Sequence, residues 1–265
     1  MDDLEVIKEE KNVLIECDQV DKYFGDIHVL KQVSLKIVQN ETLVVIGPSG
    51  GGKSTLGRCL NKLEEIDNGT IYFEGRPLPS THNKNFIAKF RLHKEIYRLR
   101  QDIGMVFQQY NNLFPHMTVL QNIIEAPVNV KKIGKDEAVA HAEELLKEFG
   151  LGDKSNALPV QLSGGQQQRV AIIRALAMHP KAIIFDEVTS ALDPELISGV
   201  LETMEMISNK GMTMIVITHE MSFARRCADR FIFMEKGRIA EQGSLKEMED
   251  PKNKRTLAFL SSLDN

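Results

Sequence analysis

The chain has 265 residues, enough to bury a full core in one large domain or two small ones. Its 42% hydrophobic and 26% charged residues are ordinary for a globular protein, and a net charge of −4 argues against a general nucleic-acid binder, which carries a basic excess. Cys17, Cys59 and Cys227 are odd in number and far apart, so they read as thiols of a reducing compartment, core packing being expected for at least two of them.

The first residues are acidic and polar, unlike a signal or transit peptide, and residues 1–12 are expected as a flexible leader. One domain is expected over 13–260, then a tail over 261–265. No apolar run reaches the roughly 18 residues of a membrane span, so work at a membrane would need another protein as carrier. Val13–Cys17 and Val33–Ile37 read as antiparallel strands. Leu43–Ile46 is a short continuous apolar run, the pattern of a strand buried on both faces, and Thr55–Leu60 follows as a helix. Arg76–Arg100 reads only as a loop followed by a helix. Ile103–Phe107 reads as a strand, and Thr118–Val128 and Lys135–Phe149 as amphipathic helices punctuated by Pro115, Pro127, Gly134 and Gly150. Gln166–Met178 is helical, closed by Pro180. Ala182–Phe185 and Met214–Ile217 are two more apolar strands. Such an alternation predicts an α/β fold with a mostly parallel sheet, with a helical subdomain inserted at about 108–165.

Two segments carry phosphate-binding chemistry. Gly47-Pro48-Ser49-Gly50-Gly51-Gly52-Lys53-Ser54 follows a strand and precedes a helix. Its glycines let backbone N–H groups approach phosphate, Lys53 reaches the β- and γ-phosphates, and Ser54 offers a hydroxyl to Mg²⁺. Leu162-Ser163-Gly164-Gly165-Gln166 opens a helix with a hydroxyl and two glycines, a second anion-binding device; by itself it is equally a serine N-cap with flexible glycines. Two such devices around one nucleotide point to ATP held between two copies of the chain. Asp186 and Glu187 end a strand, where one carboxylate can hold Mg²⁺ and the other orient water; alone they could simply cap it. His219, in Thr218-His219-Glu220, could donate to a γ-phosphate or be a histidine satisfied at a strand end. Gln108 stands at a strand-to-loop break, able to touch Mg²⁺ or water.

Together these residues resemble the nucleotide-binding subunit of ATP-binding cassette transporters, over about Leu14–Leu260 and in that family's order. The resemblance implies a P-loop NTPase with a RecA-like core, an N-terminal antiparallel β subdomain and the inserted helices. Gly47 to Thr55 match its Walker A loop and the start of the next helix, Gln108 the Q-loop and Ser163, Gly164, Gly165 and Gln166 the signature. Asp186 and Glu187 match the Walker B aspartate and catalytic glutamate, Asp193 the D-loop, and His219 the switch histidine. Phe24 matches the adenine-stacking aromatic, although a plain core phenylalanine is the competing reading. Phe107–Leu120 and Leu162–Pro194 look like the subfamily that energises polar amino acid uptake in bacteria. Gly51 stands where serine is frequent and Val188 where proline is frequent; Gly51 is expected to add flexibility, and Val188 to restore an N–H and a softer φ.

The implied activity is ATP hydrolysis with ATP and Mg²⁺, Lys53, Glu187 and His219 being catalytic and Ser54, Gln108 and Asp186 metal-binding. Ser163–Gln166 of one protomer would complete the site of the other in an ATP-dependent head-to-tail homodimer. The implied place is the cytoplasmic face of the bacterial inner membrane, on permease subunits that receive cargo from an extracytoplasmic amino-acid-binding protein. Tyr110, Leu113, Phe114 and Met117 form an exposed-looking apolar patch suited to that docking, or else pack within the helical subdomain. The rival readings are the same machine for another cargo, such as lipoprotein or metal, and a non-transport ATPase of DNA repair, regulation or translation.

Overall fold

A computed structural model describes residues 12–79, 86–108 and 113–263. Most of the expected leader, and Tyr110 of the expected docking patch, lie outside the described residues. Strands β1 (Val13–Phe24), β2 (Ile27–Val38), β4 (Asn68–Phe73) and β5 (Arg76–Pro77) form an antiparallel sheet of order β2-β1-β4-β5. A second sheet, of order β10-β9-β3-β8-β7-β6, joins β3 (Thr42–Ile46), β6 (Ile103–Val106), β7 (Ala182–Asp186), β8 (Thr213–Ile217), β9 (Arg230–Glu235) and β10 (Arg238–Ser244). All its strands are parallel except β10 at one edge. The helices are α1 (Lys53–Leu60), α2 (Phe86–Asp102), α3 (Val119–Asn129), α4 (Lys135–Glu148), α5 (Gly164–Leu176), α6 (Pro194–Asn209), α7 (Met221–Cys227), α8 (Leu245–Glu249) and α9 (Lys254–Leu263). Thus α9 takes in residues 261–263 of the segment expected as a tail.

The apolar runs are continuous because both sheet faces are covered, and side chains alternate between faces with period two. Val44 and Ile46 of β3, Ile183 and Phe185 of β7, and Met214 and Val216 of β8 enter one core with α3–α6. Their neighbours Leu43, Val45, Ile184, Ile215 and Ile217 enter a second core with α1 and the antiparallel sheet. A one-residue slip would exchange these sets, so the register is tightly specified. It places Val45 opposite Ile217, Ile217 opposite Asp186, and Phe185 opposite Val106. The carboxyl ends of β3, β6, β7 and β8 therefore lie side by side, where open α/β sheets bind ligands.

α3 begins at a capping box, with the Thr118 hydroxyl accepting from Gln121 N and the Gln121 side chain accepting from Thr118 N. One turn on, fully buried Asn122 accepts from Phe114 N at 2.7 Å and donates to the carbonyls of Phe114, Met117 and Thr118 at 3.0–3.1 Å. A single amide thus shapes the loop ahead of the helix. Phe114 is left exposed, whereas Leu113 is buried in the main core and Met117 is half-buried, so the expected apolar patch is smaller than its sequence implies.

Candidate active site

The loop after β3 wraps so closely against β9 that side chains are excluded. Gly47 has φ 141°, and a Cβ there would stand 2.1 Å from the Met234 carbonyl oxygen. At Gly51 the corresponding distance is 2.8 Å, with Pro48 O at 3.0 Å. Gly51 is thus closely packed in this chain, and a Cβ there would require this loop or β9 to shift. The turn after β9 braces the loop further, Gly237 N donating to Gly51 O at 3.1 Å.

Lys53 opens α1 and is 4% exposed, its Nζ donating to the Gly47 and Pro48 carbonyls at 2.8 and 3.0 Å. Burial pulls its pKa below the usual lysine value, against the opposing pull of Glu187 and Asp186. A buried ammonium is costly unless charge comes to meet it, and the nearest carboxylate oxygen, Glu187 Oε1, is 3.9 Å away. Ser54 donates its hydroxyl to Asp186 Oδ1 at 2.6 Å. Burial raises the Asp186 pKa, opposed by that hydrogen bond and by Arg58.

Glu187 has a left-handed backbone, φ 49°, a conformation that is uncommon outside glycine and concentrates at functional sites. Its N–H donates to Ile217 O on neighbouring β8 at 2.9 Å, and its carbonyl accepts from the Ser190 hydroxyl three residues on at 2.8 Å, so β8 and the turn itself hold this conformation. Val188 is buried in the main core and anchors the turn from behind. His219 follows β8, with Nε2 3.4 Å from Glu187 Oε1. The fold thus gathers Lys53, Ser54, Asp186, Glu187 and His219 from three strand ends.

The other candidates make no hydrogen bond or ion pair to this cluster among the described residues. Phe24 ends β1, 45% exposed, with Lys22 Nζ 5.0 Å from its ring centre; the competing reading as a core phenylalanine does not hold. Gln108 is exposed beyond β6. Ser163 N-caps α5, its Oγ accepting from Gln166 N at 3.3 Å while Gln166 Oε1 accepts from Ser163 N at 3.0 Å. Gly165 is not a flexible spacer, since a Cβ would stand 3.1 Å from Leu196 of α6. Asp193 occupies the N-cap position of α6 with no capping hydrogen bond. Gln168 escaped the sequence reading: fully buried, it donates from Nε2 to Phe107 O at 3.1 Å, tying the helix behind Ser163 to the loop bearing Gln108.

The sequence pattern of the family described as "ABC transporter" matches residues 30–190. The chain belongs to the ABC transporter ATPase family. It is 51% identical to the glutamine transport ATP-binding protein GlnQ of Geobacillus stearothermophilus, covering 95% of this chain and all of the relative. It is 48% identical to the arginine transport ATP-binding protein ArgV of Corynebacterium glutamicum, covering 95% and 98%. Its fold matches a solved dimeric ATP-binding cassette in a post-hydrolysis state bound to ADP and Pi, with TM-score 0.73 and 33% identity over 88% of this chain and 99% of the other. This ABC cassette binds and hydrolyses ATP. No helix among the described residues is long and apolar enough to cross a membrane.

The Asp186 shift gives a pH-dependent prediction. A carboxyl whose folded pKa is raised binds its proton more tightly in the folded chain, so stability is lost as pH climbs from the unfolded pKa through the raised one. Asp186→Asn should therefore raise the melting temperature of the nucleotide-free chain at neutral pH, and the gain should shrink toward pH 4. Thermal unfolding across that range checks this, and a gain that grows on acidification contradicts it.

Proposed function

We propose that this cassette energises uptake of a polar amino acid in bacteria, as a Mg²⁺-dependent ATPase seated on the cytoplasmic side of membrane permease subunits. The cargo assignment rests on whole-length similarity to the glutamine and arginine transport proteins. The observation carrying the chemistry is the Ser54–Asp186 hydrogen bond of 2.6 Å beside buried Lys53. A hydroxyl and a carboxylate converge there next to a cation and a glycine cradle open to phosphate, a donor set suited to Mg²⁺. Ser54, Asp186 and Gln108 would hold that ion, which supplies neutralisation of phosphate charge when bound.

Lys53 and the backbone N–H groups of the 47–55 loop bind the triphosphate. At about 4 Å in a surface-like dielectric, one lysine–phosphate pair has a Coulomb term of about 4 kcal/mol before desolvation. Phe24 stacks on the adenine, a contact worth about 1–3 kcal/mol by analogy with base–aromatic stacking. Glu187 accepts the proton of the attacking water, and His219 holds the γ-phosphate in line. Ser163–Gln166 come from a second copy, and Asp193 faces the same seam. Phe114 and the loop around it meet a permease helix, and an extracytoplasmic binding protein selects the cargo. No nucleic acid takes part.

The test is transport. Proteoliposomes holding the chain with permease subunits and a binding protein should accumulate labelled glutamine or arginine on ATP addition, and Glu187→Gln should abolish it. ATP-driven uptake of a metal ion or release of a lipoprotein, with no amino acid moved, would overturn the cargo.

A further inference from the structure

The C-terminal helix reaches the active site. α9 is fastened at its start: the Arg255 guanidinium forks onto the Glu235 carboxylate at the end of β9, and Glu241 Oε1 accepts from the backbone N–H groups of Lys252 and Asn253 at 2.8 and 3.2 Å. Thr256 and Leu260 are buried and Leu257 is exposed, so one helical face is committed to the core. Phe259 shares that face. Its ring centre lies 5.4 Å from that of Phe233 on β9 and 6.3 Å from that of His219, tilted 50° and 53° to them. Both separations fall in the range of edge-to-face aromatic contact. The His219 backbone is set by its neighbours, with Thr218 N donating to Val45 O and Glu220 N to the Thr218 hydroxyl. The imidazole is still free to rotate about its side-chain torsions. Among the described residues the imidazole lies near both the Glu187 carboxylate and the Phe259 ring.

We propose that Phe259 is a positioning residue, holding the His219 imidazole in the rotamer that faces Glu187 and the γ-phosphate. α9 thereby becomes part of the catalytic apparatus. This inference rests on the reading of His219 given above. ATP turnover by the full-length chain tests it. Phe259→Ala should lower kcat about tenfold and change the KM for ATP less than twofold, Phe259→Tyr should restore both, and Leu257→Ala on the exposed face should alter neither. Phe259→Leu keeps apolar volume for the fold and removes only the ring. It should depress kcat likewise and shift the His219 Cε1–H resonance, assigned from its loss in His219→Ala. Wild-type kcat in folded Phe259→Leu, or a fall in kcat matched by a rise in KM, overturns the proposal. If His219→Ala itself turns over normally, the reading of His219 fails. If His219→Ala is inactive while Phe259→Leu is unimpaired, only the positioning role fails.

Discussion

Glu187→Gln should reduce ATP turnover about 10²–10⁴-fold, as loss of a general base does, while nucleotide still binds. The glutamine is isosteric, so the left-handed turn held by Ile217 O and Ser190 is kept. What disappears is a basic oxygen placed 3.4 Å from His219 Nε2 and 3.9 Å from Lys53 Nζ. The neutral amide cannot take a proton from water. The cradle proposed to hold phosphate through backbone N–H groups and Lys53 contains no atom of residue 187. Single-turnover hydrolysis and a nucleotide titration measure the two quantities separately. Turnover at the wild-type rate would remove Glu187 from the chemistry, whereas joint loss of binding would recast it as part of the cradle.

How much of this was legible in the sequence depends on the range of the interaction. The strand ends were legible, because a strand buried on both faces needs an uninterrupted apolar run and the residue just beyond it sits at the carboxyl edge of the sheet. Asp186, His219 and Gln108 follow from that rule. β9 carries the same signal in Phe231–Met234 and goes unassigned among the predicted elements, although its backbone is what excludes a side chain at Gly47 and crowds Gly51. β10, which pairs antiparallel at the edge and shows one face to solvent, has no such run. Gln168 looks like part of a solvated glutamine run and is in fact fully buried, because helical spacing turns only one residue of the three inward. Nothing local to Phe259 marks it, since its neighbours in space lie 26 and 40 positions away in the chain. Long-range packing of this kind leaves no periodic trace.

The largest qualitative effect concerns the seam between copies. Lys53→Ala removes the cation of the cradle and leaves Ser163 intact; Ser163→Arg leaves the cradle intact and fills the exposed start of α5 with bulk and charge. Each protein alone should lose about 10²-fold or more in ATP turnover, the scale of losing a pre-placed charge stabiliser. Ser163→Arg should still fold, because Ser163 is exposed and its capping contribution is only about 1 kcal/mol. Mixed in equal amounts, the two inactive proteins should regain about a quarter of wild-type turnover. In the proposed head-to-tail pair, related by a two-fold axis, each site would take its cradle from one copy and its signature turn from the other. A mixed pair therefore has one site carrying both defects and one carrying neither; half of the pairs are mixed, and half of their sites are whole. A site built within a single chain would give no recovery at any ratio, because every cradle would keep its own faulty partner.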